Sequence, residues 1–185
     1  EDVLRTADNK DLTAINLSEV LASSLKEEEL VEGMEEHEHE DGEEHEDDKD
    51  HEDSEEHEHE EGEIEYDEHV WLSVKNAISS VNAIKDTFVK VDSKNKDAYT
   101  SNASSYVKKL SELDNKYESV KKNAKVDTVL FADRFPFRYM VEDYNLTYYA
   151  AFIGCSAETE ASFETLSFLS NKVDELGLKY IYKLE

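Results

Sequence analysis

The stretch DTVLFADRFPFRYMVEDYNLTYYAAFIG, from Asp127 to Gly154, decides the fold class because two kinds of local pattern alternate along it. DTVLFAD and LTYYAAFIG are short apolar runs rich in β-branched and aromatic residues, which predicts buried strands. FPFRYMVEDYN between them has the spacing of a helix. Beyond Gly154 the chain adds a helical segment, SFETLSFLSNKVDELG, and an apolar run, LKYIYKLE. Strand, helix, strand, helix and strand in this order predict an α/β fold with a parallel sheet and right-handed crossovers.

The carboxyl ends of the predicted strands carry the residues of most chemical interest. Asp133 and Arg134 follow the first strand, the loop at 154–160 follows the second, and Glu185 follows the third. Because ligands of parallel sheets bind beyond the carboxyl ends of the strands, we expect these residues to lie along one edge. Cys155 in this loop is the only cysteine, so neither a disulfide nor a cysteine-based zinc site forms within the chain.

Two long segments upstream have apolar residues at alternating steps of three and four, which predicts two helices. The first stripe consists of Val70, Val74, Ala77, Val81, Ile84, Phe88 and Val91. The second consists of Tyr99, Ala103, Tyr106, Leu110, Leu113, Tyr117 and Val120. We favour core packing within a monomer over a coiled-coil dimer or an aromatic cofactor site as the role of these stripes.

A short segment near the beginning of the chain has a different pattern. DLTAINLSEVLASSL, from Asp11 to Leu25, predicts a short strand from Thr13 to Leu17 and then a helical turn opened by Ser18.

Residues 35–68 form a strongly acidic tract, with 22 acidic residues and one lysine. The tract's charge of −21 leaves only −6 of the chain's −27 for all other residues. Dense like charge, two glycines and no apolar periodicity predict a flexible inserted loop. Because no basic cluster is large enough to outweigh the tract, the chain is a poor partner for nucleic acid, and cations are its natural ligands.

Six of the seven histidines lie in this tract, namely His37, His39, His45, His51, His57 and His59. Imidazoles flanked by carboxylates chelate zinc once the loop rearranges, although ordering the loop costs conformational entropy. The alternative is that the acids only keep a linker solvated. The concentration of histidine favours metal gathering over solubility alone.

The seventh histidine, His69, lies in YDEHVWLSVKNA, from Tyr66 to Ala77, where the acidic tract meets the first long helix. Taken alone, a single histidine is more often structural or solvated than a metal ligand. The stretch resembles the motif Asp-Pro-His-x-Trp-Leu-Ser-Pro-x-Asn of the metal-binding subunits of bacterial zinc and manganese ABC importers, the adhesion-type lipoprotein family. A histidine-rich loop just upstream is typical of its zinc-specific members. The matching residues are Asp67, His69, Trp71, Leu72, Ser73 and Asn76, while Glu68 and Val74 replace the two prolines.

This resemblance implies a metal site around His69, because the family's histidine at this position is a metal ligand. The third family ligand is a histidine in a pattern like His-x-Ala-Phe-x-Tyr, and ADRFPFRY aligns Arg134 there, which binds no metal. Asp133 is then either a replacement ligand or the partner of Arg134 in an ion pair. Glu185 falls close to the place of the fourth, acidic ligand. The first family ligand lies upstream of Glu1, so we expect the chain to lack it.

The resemblance also implies an architecture of two lobes with parallel sheets, joined by a long rigid helix. Residues 1–34 then belong to an incomplete N-terminal α/β lobe, and residues 35–68 form the flexible acidic loop. Residues 69–92 form the connecting helix, and residues 93–185 form the C-terminal α/β lobe.

The implied function is that of an extracytoplasmic solute-binding protein, not an enzyme, that captures Zn²⁺ (alternatively Mn²⁺) between its lobes and delivers it to the permease of an ABC importer. Such proteins lie at the cell surface or in the periplasm, and we expect a lipid anchor that this chain lacks. The alternative is an acidic metal buffer or surface adhesin with a degenerate transport site, which Arg134 supports. A metal-dependent hydrolase would need an open coordination position and a placed general base.

Overall fold

The computed structural model describes residues 4, 6–9, 11–34, 65–154 and 161–184. Its longer elements are α1 (Leu17–Val20), α2 (Val74–Val91), α3 (Lys96–Asn123), β1 (Thr128–Phe135), α4 (Arg138–Asp143), β2 (Thr147–Ile153) and α5 (Phe163–Leu176). Short 3₁₀ turns occur at Ala22–Ser24, Val70–Leu72 and Ser93–Asn95.

Strands β1 and β2 pair in parallel, as the alternation of strand and helix predicts, with α4 in the crossover between them. The register runs from Thr128 opposite Thr147 to Phe135 opposite Ile153, and it shifts between Phe131 and Arg134. The prediction of a full third strand is wrong. In the described residues it is reduced to one parallel bridge between Phe131 and Tyr182, on the edge of β1 away from β2.

The sequence pattern predicts an end for the first strand that is too early. We expected Asp133 and Arg134 just beyond its end, but β1 continues to Phe135, whose side chain is buried in the core. Pro136 follows, and proline has no N–H to continue the ladder, so the strand ends there and not at the charged pair. Asp133 and Arg134 therefore lie inside the strand, at its shift in register.

Alternate residues of the two strands bury opposite faces of the sheet, as the two-residue repeat of a strand requires. On one face, Phe131 and Ala150 pack with Val141 of α4. On the other face, Leu130 and Ala151 pack with residues that include Leu169 of α5. Each crossover element thus covers one face, which is the layered arrangement expected of an α/β unit.

Helices α2 and α3 contact each other along the predicted stripes and form a helical hairpin. At the closed end Phe88 and Tyr99 stack with ring centroids 5.2 Å apart. The second stripe is more exposed than the prediction of core packing implies, since no residue of α3 is fully buried. Tyr117 and Val120 of that stripe are 38% and 67% exposed.

The open end of the hairpin is fastened to α4 by buried hydroxyl groups. Ser73 caps α2 by accepting a hydrogen bond from the Asn76 amide at 3.0 Å, and its own hydroxyl donates to the Asp143 carboxylate at 2.6 Å. The Tyr144 hydroxyl donates to Asp114 of α3 at 2.9 Å. Burial, reinforced by the Asp114 carboxylate, raises the pKa of Tyr144, so this hydroxyl remains a donor at neutral pH.

The predicted strand from Thr13 to Leu17 is wrong, because residues 13–16 are irregular and Leu17 begins α1. Asn16, not Ser18, is the N-cap residue. Its side chain accepts hydrogen bonds from the amides of Ser18 at 3.0 Å and Glu19 at 3.4 Å. Asparagine is among the best N-cap residues, and this local capping prevails over the weak strand pattern.

The segment after α1 joins the remainder of the fold through a small core and a short backbone pairing. Leu21 packs with Val70 and Tyr139. Glu27 forms an isolated antiparallel bridge with Tyr66, so the stretches on either side of the acidic tract lie side by side. In the described part of the chain, no helix combines the length and the apolar character needed to cross a bilayer.

The alkaline stability of the fold should depend on Tyr148, which stacks on Phe135 at 3.9 Å between ring centroids. Burial, with a further contribution from Glu29, raises the pKa of Tyr148 to about 12. In the unfolded chain a tyrosine ionises near pH ~10. The stabilisation is therefore complete below the unfolded pKa and is lost as the pH rises through the folded pKa. We expect urea midpoints, followed by circular dichroism, to fall over this interval.

The Tyr148→Phe variant should lose midpoint stability less steeply over the same pH interval, because phenylalanine has no proton to release. Tyr106→Phe is the matched control, since Tyr106 is 53% exposed. Equal slopes for Tyr148→Phe and the unmodified chain would contradict the assignment.

Candidate metal site

His69 lies against the carboxyl end of the sheet. It precedes the 3₁₀ turn that leads into α2, and its imidazole ring packs against Gly154, the residue that follows β2. Pro136, which follows β1, lies beside the same glycine. The ring is mostly buried, with 19% of the side chain exposed. His69 thus occupies the edge at which parallel sheets bind ligands.

Asp67 holds His69 through two hydrogen bonds to one carboxylate oxygen. Its Oδ1 accepts from the His69 backbone amide at 2.7 Å and lies 3.1 Å from ring nitrogen Nδ1. Because an ionised carboxylate only accepts, this contact requires the proton on Nδ1. The other ring nitrogen, Nε2, is then the one that a metal can bind. A carboxylate behind a metal-binding histidine orients the ring and increases its basicity.

The backbone of Asp67 is fixed as firmly as its side chain, which is only 6% exposed. Its amide donates to the Lys26 carbonyl at 2.9 Å. Its carbonyl accepts from the Tyr139 hydroxyl at 2.7 Å, and the same hydroxyl accepts from the Lys26 amide at 3.1 Å. Burial raises the pKa of Tyr139, so its hydroxyl keeps the proton that this arrangement needs.

The other residues of the sequence motif hold the turn that connects His69 to α2. The Asn76 side chain donates to the Val70 carbonyl at 3.2 Å, and Ser73 provides the N-cap described above. The Trp71 ring contacts the His69 ring at 5.8 Å between centroids. Val74 is the first residue of α2, a position where proline is favoured, so the helix begins there without proline. The Val74 side chain is buried.

Behind Asp67 and Gly154 lies a small cavity that Arg138 and Glu29 also line. Arg138 forms ion pairs with Glu29 and, at 3.6 Å, with Glu142. Its Nε is buried and has no hydrogen-bond partner among the described residues. The two carboxylates offset the guanidinium charge, which would otherwise oppose a cation near His69.

Asp133 does not contact His69 in the structure. One carboxylate oxygen accepts from the Arg134 amide at 2.7 Å, and the other accepts from the Leu184 amide at 3.0 Å. The Arg134 guanidinium is also near, with Nε 3.8 Å from Oδ1. Both oxygens therefore accept backbone hydrogen bonds beside β1, and the ligand role of Asp133 stays a prediction.

The remaining predicted ligands lie outside the described residues. These are His37, His39, His45, His51, His57, His59 and Glu185. Among the residues that are described, no group of three or more histidine, cysteine, aspartate or glutamate side chains is arranged to hold a metal. Each of these ligand assignments therefore stays a prediction, and His69 is the predicted histidine ligand whose surroundings the structure describes.

Two contributors to the site were missed by reasoning from the sequence. The sequence places Tyr139 in the stretch ADRFPFRY, but it does not predict that this residue secures Asp67 across 72 residues of chain. It predicts Gly154 only as a loop residue, although Gly154 contacts the imidazole. A glycine directly after a buried strand is a recognisable signal of close backbone approach. No comparable signal in the sequence identifies Tyr139.

Two relatives of similar sequence are named for zinc binding or zinc uptake. Zinc-binding lipoprotein AdcA of Streptococcus pneumoniae is 35% identical over 118 residues, which cover 64% of this chain and 23% of that protein. High-affinity zinc uptake system protein ZnuA of Bacillus subtilis is 34% identical over 116 residues, which cover 63% of this chain and 36% of that protein. The chain thus spans about a quarter to a third of the length of these relatives.

Solved structures agree with the sequence relatives. The Zn(II)-bound ZnuA-like domain of Streptococcus pneumoniae AdcA matches with a TM-score of 0.54 and 32% identity, covering 65% of this chain and 44% of that one. This likeness confirms the predicted α/β class with a parallel sheet. The family model described as "Zinc-uptake complex component A periplasmic" matches residues 2–184. The chain therefore belongs to the family of periplasmic component A proteins of zinc-uptake complexes.

Proposed function

We propose that this chain is the zinc-capturing part of an extracytoplasmic solute-binding protein, and that His69 binds the transported ion through Nε2. The observation that carries the proposal is the Asp67 carboxylate, which holds the opposite ring nitrogen of His69 at 3.1 Å. Imidazole is a suitable ligand for Zn²⁺, and Mn²⁺ is the alternative because it is taken up by related importers. The protein binds and delivers the ion without chemical turnover.

The zinc site is completed by ligands from outside the described residues. Zinc takes four ligands in structural sites and three protein ligands where one position stays open, so His69 supplies only a fraction of the coordination. The resemblance assigns an acidic ligand near Glu185. The ion then lies between two lobes and passes from them to the membrane permease of an ABC importer. A lipid anchor in the full protein holds it at the cell surface or in the periplasm.

The acidic tract provides a second, weaker kind of zinc binding. Its six histidines alternate with carboxylates in a segment of charge −21, which attracts divalent cations before they reach a rigid site. Ordering such a segment costs about 1–2 kcal/mol of conformational free energy per residue fixed. This cost keeps its affinity below that of a ligand that the fold holds in place, so the tract gathers zinc and His69 retains it.

The alternative function is an acidic metal buffer or surface adhesin with a degenerate transport site. Two observations favour it: Arg134 occupies the position that the family fills with a histidine, and both carboxylate oxygens of Asp133 are already engaged. A tight zinc site that depends on His69 distinguishes the transport protein from the buffer.

Calorimetric zinc titration of the unmodified chain and its His69→Ala variant tests the role of His69. We expect the tightest binding phase to disappear, because the variant loses an oriented ligand. His57→Ala is the matched control, since it removes one histidine from the tract and should leave that phase unchanged. An unchanged tight phase in His69→Ala would favour the buffer.

Zinc gathering by the tract is tested by deleting residues 36–60, and separately by replacing its six histidines with glutamine. We expect the weaker titration phases to disappear in both variants and the tight phase to remain, because the imidazoles provide the soft ligands. Weak phases that survive the glutamine replacements but not the deletion would assign the binding to carboxylates and refute gathering by histidine.

The two alternatives for Asp133 predict different effects of Asp133→Ala. Because its carboxylate accepts two backbone hydrogen bonds, we expect a loss of about 1–3 kcal/mol in the free energy of unfolding and little change in tight zinc affinity. The exposed Asp174 provides the control variant Asp174→Ala, which should be near neutral in both measurements. A large loss of zinc affinity with stability retained would instead identify Asp133 as a ligand.

A further inference from the structure

We propose that Gly154 is a positioning residue for His69: the absence of a side chain there lets the imidazole ring rest on the end of β2 with Nδ1 on Asp67. The proposal rests on the proposed function of His69. Gly154 supplies no ligand atom, but its contact with the His69 ring makes glycine necessary at this position.

A side chain on Gly154 would crowd the His69 ring and the backbone at Pro136. A Cβ atom placed on Gly154 would lie 2.9 Å from Cε1 and 3.1 Å from Nδ1 of His69. It would also lie 3.1 Å from the Pro136 Cα. Nonbonded carbon atoms prefer about 3.5–4.0 Å, so an added methyl group must displace one of its neighbours. The Pro136 backbone belongs to the chain that leaves β1, whereas the ring turns about its side-chain torsions.

Displacement of the ring would break the hydrogen bond that selects its tautomer. Nδ1 is both one of the atoms closest to the added carbon and the atom that contacts Asp67 at 3.1 Å. The Asp67 carboxylate cannot follow the ring, since its backbone is held by Lys26 and Tyr139. The ring would therefore lose its fixed orientation, and the Nδ1 proton would lose its acceptor. Outer partners of metal-binding histidines typically contribute about 10–100-fold to metal affinity.

The backbone conformation of Gly154 does not itself require glycine. Only Gly33 and Gly177 of the described glycines have positive φ angles, of 86° and 60°. Gly154 is thus required for the space it leaves and not for a left-handed backbone. Gly177, in contrast, needs its backbone freedom, and a Cβ there meets nothing within 4 Å. The two glycines form a matched pair for experiment.

The test combines Gly154→Ala with ¹⁵N NMR of the His69 ring in the zinc-free protein and with competitive zinc titration. We expect the ring nitrogen shifts to move away from the pattern of a single Nδ1-protonated tautomer, and the tight zinc affinity to fall about 10–100-fold. Gly177→Ala should lower stability while leaving the His69 shifts and the zinc affinity unchanged. In the His69→Ala background, Gly154→Ala should cause no further loss of zinc affinity.

Each outcome bears on the proposal. Unchanged ring shifts in Gly154→Ala would overturn it, and so would changed shifts with unaltered zinc affinity in a chain whose tight site depends on His69. If tight binding does not depend on His69, the proposed function fails, yet the ring shifts still decide whether Gly154 orients the imidazole. If Gly154→Ala does not fold, folding of the double variant with His69→Ala supports the contact with the ring, and failure of both assigns the clash to Pro136 and refutes the proposal.

Discussion

The Tyr139 hydroxyl is the point on which the site depends, because it joins three segments that are distant in sequence. It accepts from the Lys26 amide and donates to the Asp67 carbonyl, and it belongs to the helix between the two strands. This buried hydroxyl reinforces the Asp67 amide bond to the Lys26 carbonyl and the Glu27–Tyr66 bridge, which join the same two stretches of chain. Because Asp67 is buried, its contact with His69 differs from surface ion pairs, which contribute little.

The consequence for His69 is that its orientation is set before any metal arrives. The ring is held by the carboxylate on one nitrogen, by the end of β2 on one side and by contact with Trp71. A ligand that is already oriented loses little entropy when it binds, which is the advantage of preorganisation.

The sequence predicts those parts of the fold that arise from local patterns. The parallel pairing of β1 with β2, the two long helices and α5 follow from the periodicity of apolar residues. Boundaries were less predictable where two local signals compete: Pro136 ends β1 later than the charged residues suggest, and Asn16 caps a helix where a strand was expected. The last predicted strand is only a bridge, in which Tyr182 exchanges two backbone hydrogen bonds with β1.

The site shows where prediction from sequence ends. The motif identifies His69 through resemblance, but its supports span 113 residues between Lys26 and Tyr139, and no periodicity encodes a contact of that range. The structure also shows what the other residues of the motif do. Of its six matching residues, Asp67 holds the His69 ring, and Ser73 and Asn76 build the turn that carries it. Those residues preserve a geometry, and this explains how the site tolerates Glu68 and Val74 in place of proline: capping and the Asn76 hydrogen bond already define the path of the backbone into α2.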